Sequence, residues 1–118
     1  MRRIAVTGGR DFNRPTLVWT VFDSIGLCCD DVLVHGGCRG ADQLCARIAA
    51  NHYFAMTETH PADWKRWGKS AGPKRNREML ESGIDLLIAF PGGRGTYNCV
   101  MTARQLGIPV MEAVTTSP

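Results

Sequence analysis

Ile84-Asp85-Leu86-Leu87-Ile88-Ala89-Phe90-Pro91-Gly92-Gly93-Arg94-Gly95-Thr96 is the stretch whose reading decides the fold. Its first part is an apolar run short enough for a strand, and near-continuous apolarity marks a strand covered on both faces, as in a parallel sheet. Pro91 stops the run. Gly92, Gly93 and Gly95 then let the backbone turn tightly and approach a ligand, and Thr96 opens a helix whose free N–H groups favour an anion. The stretch predicts strand, turn and helix, with a seat for a phosphate where the last two meet.

Two other stretches repeat this plan. Ile4-Ala5-Val6 leads into Thr7-Gly8-Gly9-Arg10-Asp11, and Val32-Leu33-Val34 leads into His35-Gly36-Gly37-Cys38-Arg39-Gly40-Ala41-Asp42. Glycine pairs at three strand ends point beyond turn-making to a phosphate-bearing ligand at helix N-termini. Arg10, Arg39 and Arg94 are placed to add forked, charge-assisted hydrogen bonds, although each also reads simply as a solvated surface residue.

Between these stretches the apolar spacing is helical. Pro15 suits a first turn, and Val18, Val21, Phe22 and Ile25 make one face; Ala41, Leu44, Cys45, Ile48 and Ala49 make another. Phe54 to Thr59 reads as a third strand with weak alternation, closed by His60-Pro61. Pro73 suits the start of a helix holding Met79 and Leu80; Val100, Ala103 and Leu106 line the next, with Cys99 on the same stripe, before a last strand over Ile108 to Met111. The pattern is five strands alternating with four helices. It predicts an α/β, Rossmann-like three-layer sandwich around a mostly parallel five-stranded sheet of order 3-2-1-4-5. Strands one and four are then neighbours at the reversal, and Gly8-Gly9 faces Gly92-Gly93 across one crevice. Residues 1–113 form the single domain in this reading, and 114–118 a loose tail.

The chain of 118 residues carries a net charge of +3, too small by itself to argue for nucleic acid. The five cysteines have no C-x-x-C spacing, so neither a disulfide framework nor a zinc ribbon is indicated, and a reduced, cytoplasmic setting fits best. No apolar run reaches membrane-spanning length, which excludes a membrane partner in this reading. His35, His52 and His60 lack metal-ligand spacing. Gly68-Lys69-Ser70 is not a Walker A loop, because Asp63 stands where its first glycine is needed. The first turn lacks G-x-G-x-x-G, which counts against an ordinary NAD dehydrogenase. No cofactor is required by any motif.

From Trp64 to Arg77 the chain holds Lys65, Arg66, Lys69, Lys74, Arg75 and Arg77 with no acid. As a lid over a small nucleotide, this segment brings Arg75 and Arg77 to phosphate and Trp64 or Trp67 to a base by stacking. As an open groove it tracks single-stranded nucleic acid. The plain alternative is solvated lysines with tryptophans packed on the domain.

Taken together the loops resemble the SLOG superfamily, which includes the DNA-processing protein A family, the LOG phosphoribohydrolases and the small YspA/YpsA-related proteins. Gly36-Gly37-Cys38-Arg39-Gly40-Ala41-Asp42 and Lys74-Arg75-Asn76-Arg77 look like the DNA-processing branch, and Pro91-Gly92-Gly93-Arg94-Gly95-Thr96 matches the LOG signature. Pro61-Ala62-Asp63-Trp64, Gly68, Ala71-Gly72-Pro73 and Arg75-Asn76-Arg77-Glu78-Met79 are most similar to the YspA-like branch. The resemblance implies a domain that senses or sequesters a nucleotide or nucleotide-derived ligand such as a nucleoside monophosphate or ADP-ribose. It also implies a homodimer, without assigning its surface. LOG hydrolases carry a catalytic glutamate three residues after the signature threonine, where this chain has Cys99. A thiol is a poor substitute for that carboxylate. N-glycosidic hydrolysis of a nucleoside monophosphate therefore stands as the alternative, with Asp11, Asp42, Asp63 or Glu78 as the acid, and single-stranded nucleic-acid binding as the second alternative.

Overall fold

Ile4, Ala5 and Val6 are fully or almost fully buried because their strand, β1 (Arg3–Thr7), lies at the centre of the sheet. β1 pairs in parallel with β2 (Val32–His35) on one side and with β4 (Leu86–Ala89) on the other. β3 (Met56–Thr59) extends the sheet beyond β2, and β5 (Val110–Glu112) extends it beyond β4. This computed structural model describes residues 1–113; the tail expected over 114–118 lies outside the described residues. The sheet order is β3-β2-β1-β4-β5, and every pairing is parallel. The fold is α/β and Rossmann-like.

Successive side chains on a strand point to opposite faces, so each face has its own core. Ile4, Val6, Leu33 and Ile88 lie under α1 (Pro15–Ser24) and α2 (Ala41–His52), with Phe22 and Cys45 fully buried. Ala5, Val34 and Leu87 lie under α4 (Ala71–Glu81) and α5 (Arg94–Gln105), where Cys99 and Ala103 are fully buried.

Local detail departs from the sequence reading in several places. α5 opens at Arg94, not Thr96, because Gly93 is its N-cap, and β5 begins at Val110, not Ile108, because the Ile108 N–H still closes α5 on the Ala103 carbonyl at 2.9 Å. The acid-free segment forms a short helix of its own, α3 (Trp64–Trp67), followed by a 3-10 turn over Gly68–Ser70. Asp63 starts α3, its carboxylate accepting from the Arg66 N–H at 3.2 Å. α4 begins at Ala71, two residues before Pro73; proline fits there because N–H groups of a first turn have no intrahelical partner. The third strand begins at Met56 because Phe54, with φ 56°, closes α2 and lets the Ala55 N–H donate to the Ala49 carbonyl at 3.1 Å.

Candidate functional site

The strand order reverses between β1 and β4, where an open α/β sheet leaves room at its carboxyl edge. A cavity of about 610 Å³ occupies this position. Thr7, Gly8, Gly9 and Arg10 form one wall, and Gly93 to Thr96 with Asn98 form the other. Trp64, Lys69, Gly72 and Pro73 lie over it, while Arg75, Asn76, Cys38 and Asp42 close the β2 end. The walls are joined below: the Gly9 N–H donates to the Pro91 carbonyl at 2.9 Å, and the Phe90 N–H to Thr7 at 2.9 Å. Gly8 is required by packing, since a Cβ there would stand 2.5 Å from the Ala41 Cβ and 3.0 Å from that of Phe90.

The β2 loop turns its donors inward. The buried Asp42 carboxyl accepts from the N–H groups of Gly36 at 3.0 Å and Cys38 at 3.4 Å, and the Gly37 N–H donates to His35 Nδ1 at 3.0 Å. The first N–H of α2, at Ala41, donates to the Gly9 carbonyl at 3.1 Å. Burial pushes the Asp42 carboxyl pKa up, against the pull of its N–H bonds and of the Arg75 charge. Arg75 braces the same loop: it donates to the carbonyls of Gly36 at 2.9 Å and His60 at 3.4 Å and to Asn76 Oδ1 at 2.9 Å. The buried Asn76 then donates to Asn98 Oδ1 at 3.0 Å and to the Gly95 carbonyl at 3.4 Å, tying the brace to α5. Gly40, at φ +83°, is held between the backbones of Gly9 and Arg10, where a Cβ would overlap carbonyl oxygens.

The α5 start is different. Gly93 caps it, and among the described residues no side chain or loop carbonyl accepts from its first N–H groups, whereas the first N–H of α2 is taken by Gly9. A Cβ at Gly93 or Gly95 would meet nothing within 4 Å, and the Thr96 hydroxyl fills the space where a Gly92 side chain would stand. The helix dipole adds about half a positive charge at this end. Arg10, Lys69 and Arg94 are exposed cations on the cleft walls, and Arg10 lies 5.8 Å from the centre of the Trp64 ring.

Most residues singled out in the sequence share this cleft: Gly8, Gly9, Arg10, Asp42, Trp64, Arg75, Asn76, Gly93, Arg94, Gly95 and Thr96. Gly36, Gly37 and Arg39 line a contiguous cavity of about 330 Å³ that shares Arg10, Cys38, Trp64 and Arg75 with the first. Pro91 and Gly92 face a third cavity of about 270 Å³ on the β5 side, which shares Gly93 and Thr96 with the cleft. The Asp11 carboxylate is 97% exposed and stands 3.4 Å from Arg39. Trp67 lines none of these cavities; its ring carries Lys74 at 4.3 Å and Arg66 at 4.7 Å. Arg77, expected on phosphate, lines none of them either and pairs with Glu81 one helical turn on, at 3.5 Å. Sequence reading did not single out Thr7, Cys38, Gly72, Pro73 or Asn98 as site residues, and it left Lys69 in the basic run. Asn98 had a usable signal, four residues after Arg94 and so on its helix face.

Residues 2–67 match the family described as the YspA, cpYpsA-related SLOG family. The chain belongs to this family. It is also 42% identical over 124 residues to the Gene 61 protein of Mycobacterium phage D29, an alignment covering 95% of this chain and 96% of that protein. Within this SLOG domain Cys99 stands in the core, and burial pushes its thiol up to about 11. Of Asp11, Asp42, Asp63 and Glu78, only Asp42 lines the cleft, and its carboxyl already serves two backbone donors. Among the described residues, no three His, Cys, Asp or Glu side chains stand together as metal ligands, and no helix is long and apolar enough to cross a membrane.

Proposed function

We propose that this SLOG domain binds a nucleotide or nucleotide-derived ligand, a nucleoside monophosphate or ADP-ribose among the candidates, and acts as a sensor or sequestering module. The observation that carries this reading is the α5 start, an anion seat without a side-chain cap in a cleft whose volume is that of small-molecule sites. In this reading a phosphate accepts from N–H groups of the Gly93-to-Thr96 turn, Arg94 and Lys69 offset its charge, and Trp64 offers a face to the base. Arg75 contributes by bracing the β2 loop. Five free thiols fit a reducing, cytoplasmic setting for such a module. Calorimetric titration with nucleoside mono- and diphosphates, ADP-ribose and cyclic nucleotides tests this. Saturable binding to at least one is expected; no heat and no thermal shift across the panel would refute it.

A second reading, N-glycosidic hydrolysis, rests on Asp42 as the one candidate acid on the cleft wall. Release of free base from a nucleoside monophosphate, abolished in Asp42→Asn protein that still binds, is the expected result. Binding without turnover would leave the first reading alone.

A further inference from the structure

The second cavity is the feature that the binding reading leaves unused. It lies beside the main cleft, shares Arg10, Cys38, Trp64 and Arg75 with it, and is lined in addition by Gly36, Gly37, Arg39, Pro61 and Ala62. No acid lines it. Three arginines do, and their existing partners leave them donors to spare. Arg39 has an exposed pairing with Asp11 at 3.4 Å, a geometry that contributes little in water. Arg10 lies over Trp64. Arg75 commits Nε and Nη1 to oxygen acceptors, whereas its Nη2 has a 3.8 Å contact with the Cys38 sulfur, a weak acceptor. The N–H groups of Gly36, Gly37 and Cys38 are taken by Asp42 and His35, so an anion here is held chiefly by guanidinium groups.

Resting on the reading that the main cleft takes a nucleotide, we infer that the ligand carries two separated phosphate groups. One sits on the α5 start, and the other lies among Arg10, Arg39 and Arg75 on the far side of Trp64. The chemical class is a nucleoside bisphosphate or a 5′-phosphorylated dinucleotide. At about 330 Å³ the second cavity is at the lower edge of ligand sites, which suits a phosphate with its sugar.

Calorimetry on the full chain tests this with AMP and GMP against their 3′,5′-bisphosphates and the 5′-phosphorylated dinucleotides pApA and pGpG. The expected result is at least about tenfold tighter binding of one two-phosphate probe than of its mononucleotide, from added charge-assisted hydrogen bonds. Ala62→Trp, which fills the second cavity, and Arg39→Glu, at an exposed residue, should each bring that ratio down to about threefold or less. Mononucleotide binding with no two-phosphate advantage would overturn this inference and leave the binding reading standing. An advantage untouched by both variants would also overturn it. Silence from every probe here would overturn this inference, and silence extending to the nucleoside diphosphates, ADP-ribose and cyclic nucleotides would remove the binding reading as well.

Discussion

Two glycine-rich loops of this domain look alike in sequence and do opposite things. Gly36-Gly37-Cys38-Arg39-Gly40 turns its N–H groups onto Asp42 and His35 and is braced by Arg75 from outside. Gly92-Gly93-Arg94-Gly95 leads into a helix start with no side-chain cap and leaves open space at Gly93 and Gly95. The β2 loop uses its glycines for the protein: Gly40 passes too close to the Gly9 and Arg10 backbones for a side chain, and Gly36 and Gly37 lie against the Arg75 and Thr59 side chains. The α5 loop keeps two of them for something else. A glycine pair after a buried strand is therefore ambiguous until its N–H partners are known. Here the ambiguity is resolved by one acid at the second position of α2.

The contrast is most easily broken with stability measurements. Gly40→Val combines a positive φ with overlap on two backbone carbonyls and should cost about 3–5 kcal/mol in urea denaturation. A cost below about 1 kcal/mol would show that this loop is not packed as described. Gly95→Val should do the reverse. It should leave the urea midpoint nearly unchanged while weakening the tightest nucleotide about thirtyfold, roughly 2 kcal/mol, by filling the open side of the seat. Unchanged affinity would move the seat away from α5.

Asp42→Ala sharpens the same contrast from the other side. It leaves the Gly36 and Cys38 N–H groups without their acceptor and should cost about 1–3 kcal/mol of stability. No loss of stability would mean that those donors do not depend on Asp42. The smallest expected effect is on pH dependence. Glu58 accepts from Arg3 at the edge of the sheet and contacts His60, whose carbonyl accepts from Arg75. The Arg3 hydrogen bond, then that of His60, lower the Glu58 carboxyl from 4.5 to about 2. Its folded pKa lies below its unfolded one, so its contribution is complete above pH 4.5 and is lost as pH falls toward about 2. Glu58→Gln should flatten the acid limb of the stability curve in that window, measured by thermal melts. An acid limb identical to that of the native chain would contradict the assignment.

The sheet was legible because its strands are nearly continuous apolar runs ended by glycine or proline, and a parallel order follows from helices between them. Phe54 was harder: only the backbone shows that it closes α2 at positive φ and does not begin β3. Trp64 and Trp67 were equivalent on paper, three residues apart in one basic run. The start of α3 at Asp63 separates them, turning Trp64 to the cleft and leaving Trp67 beneath Arg66 and Lys74. Arg75 read as a phosphate clamp because its charge is visible in sequence; its bracing of the β2 loop is not, because its carbonyl partners lie 39 and 15 residues away along the chain.

Backbone amide NMR during titration with a mononucleotide, AMP or GMP, tests the central claim most directly, because it reads the N–H groups of both loops in one experiment with the second cavity left empty. The expected result is large, saturable shifts at Gly93, Arg94, Gly95 and Thr96, with Gly36, Gly37 and Cys38 nearly still. Large shifts at Gly36 to Cys38 with the α5 start unmoved would contradict the account.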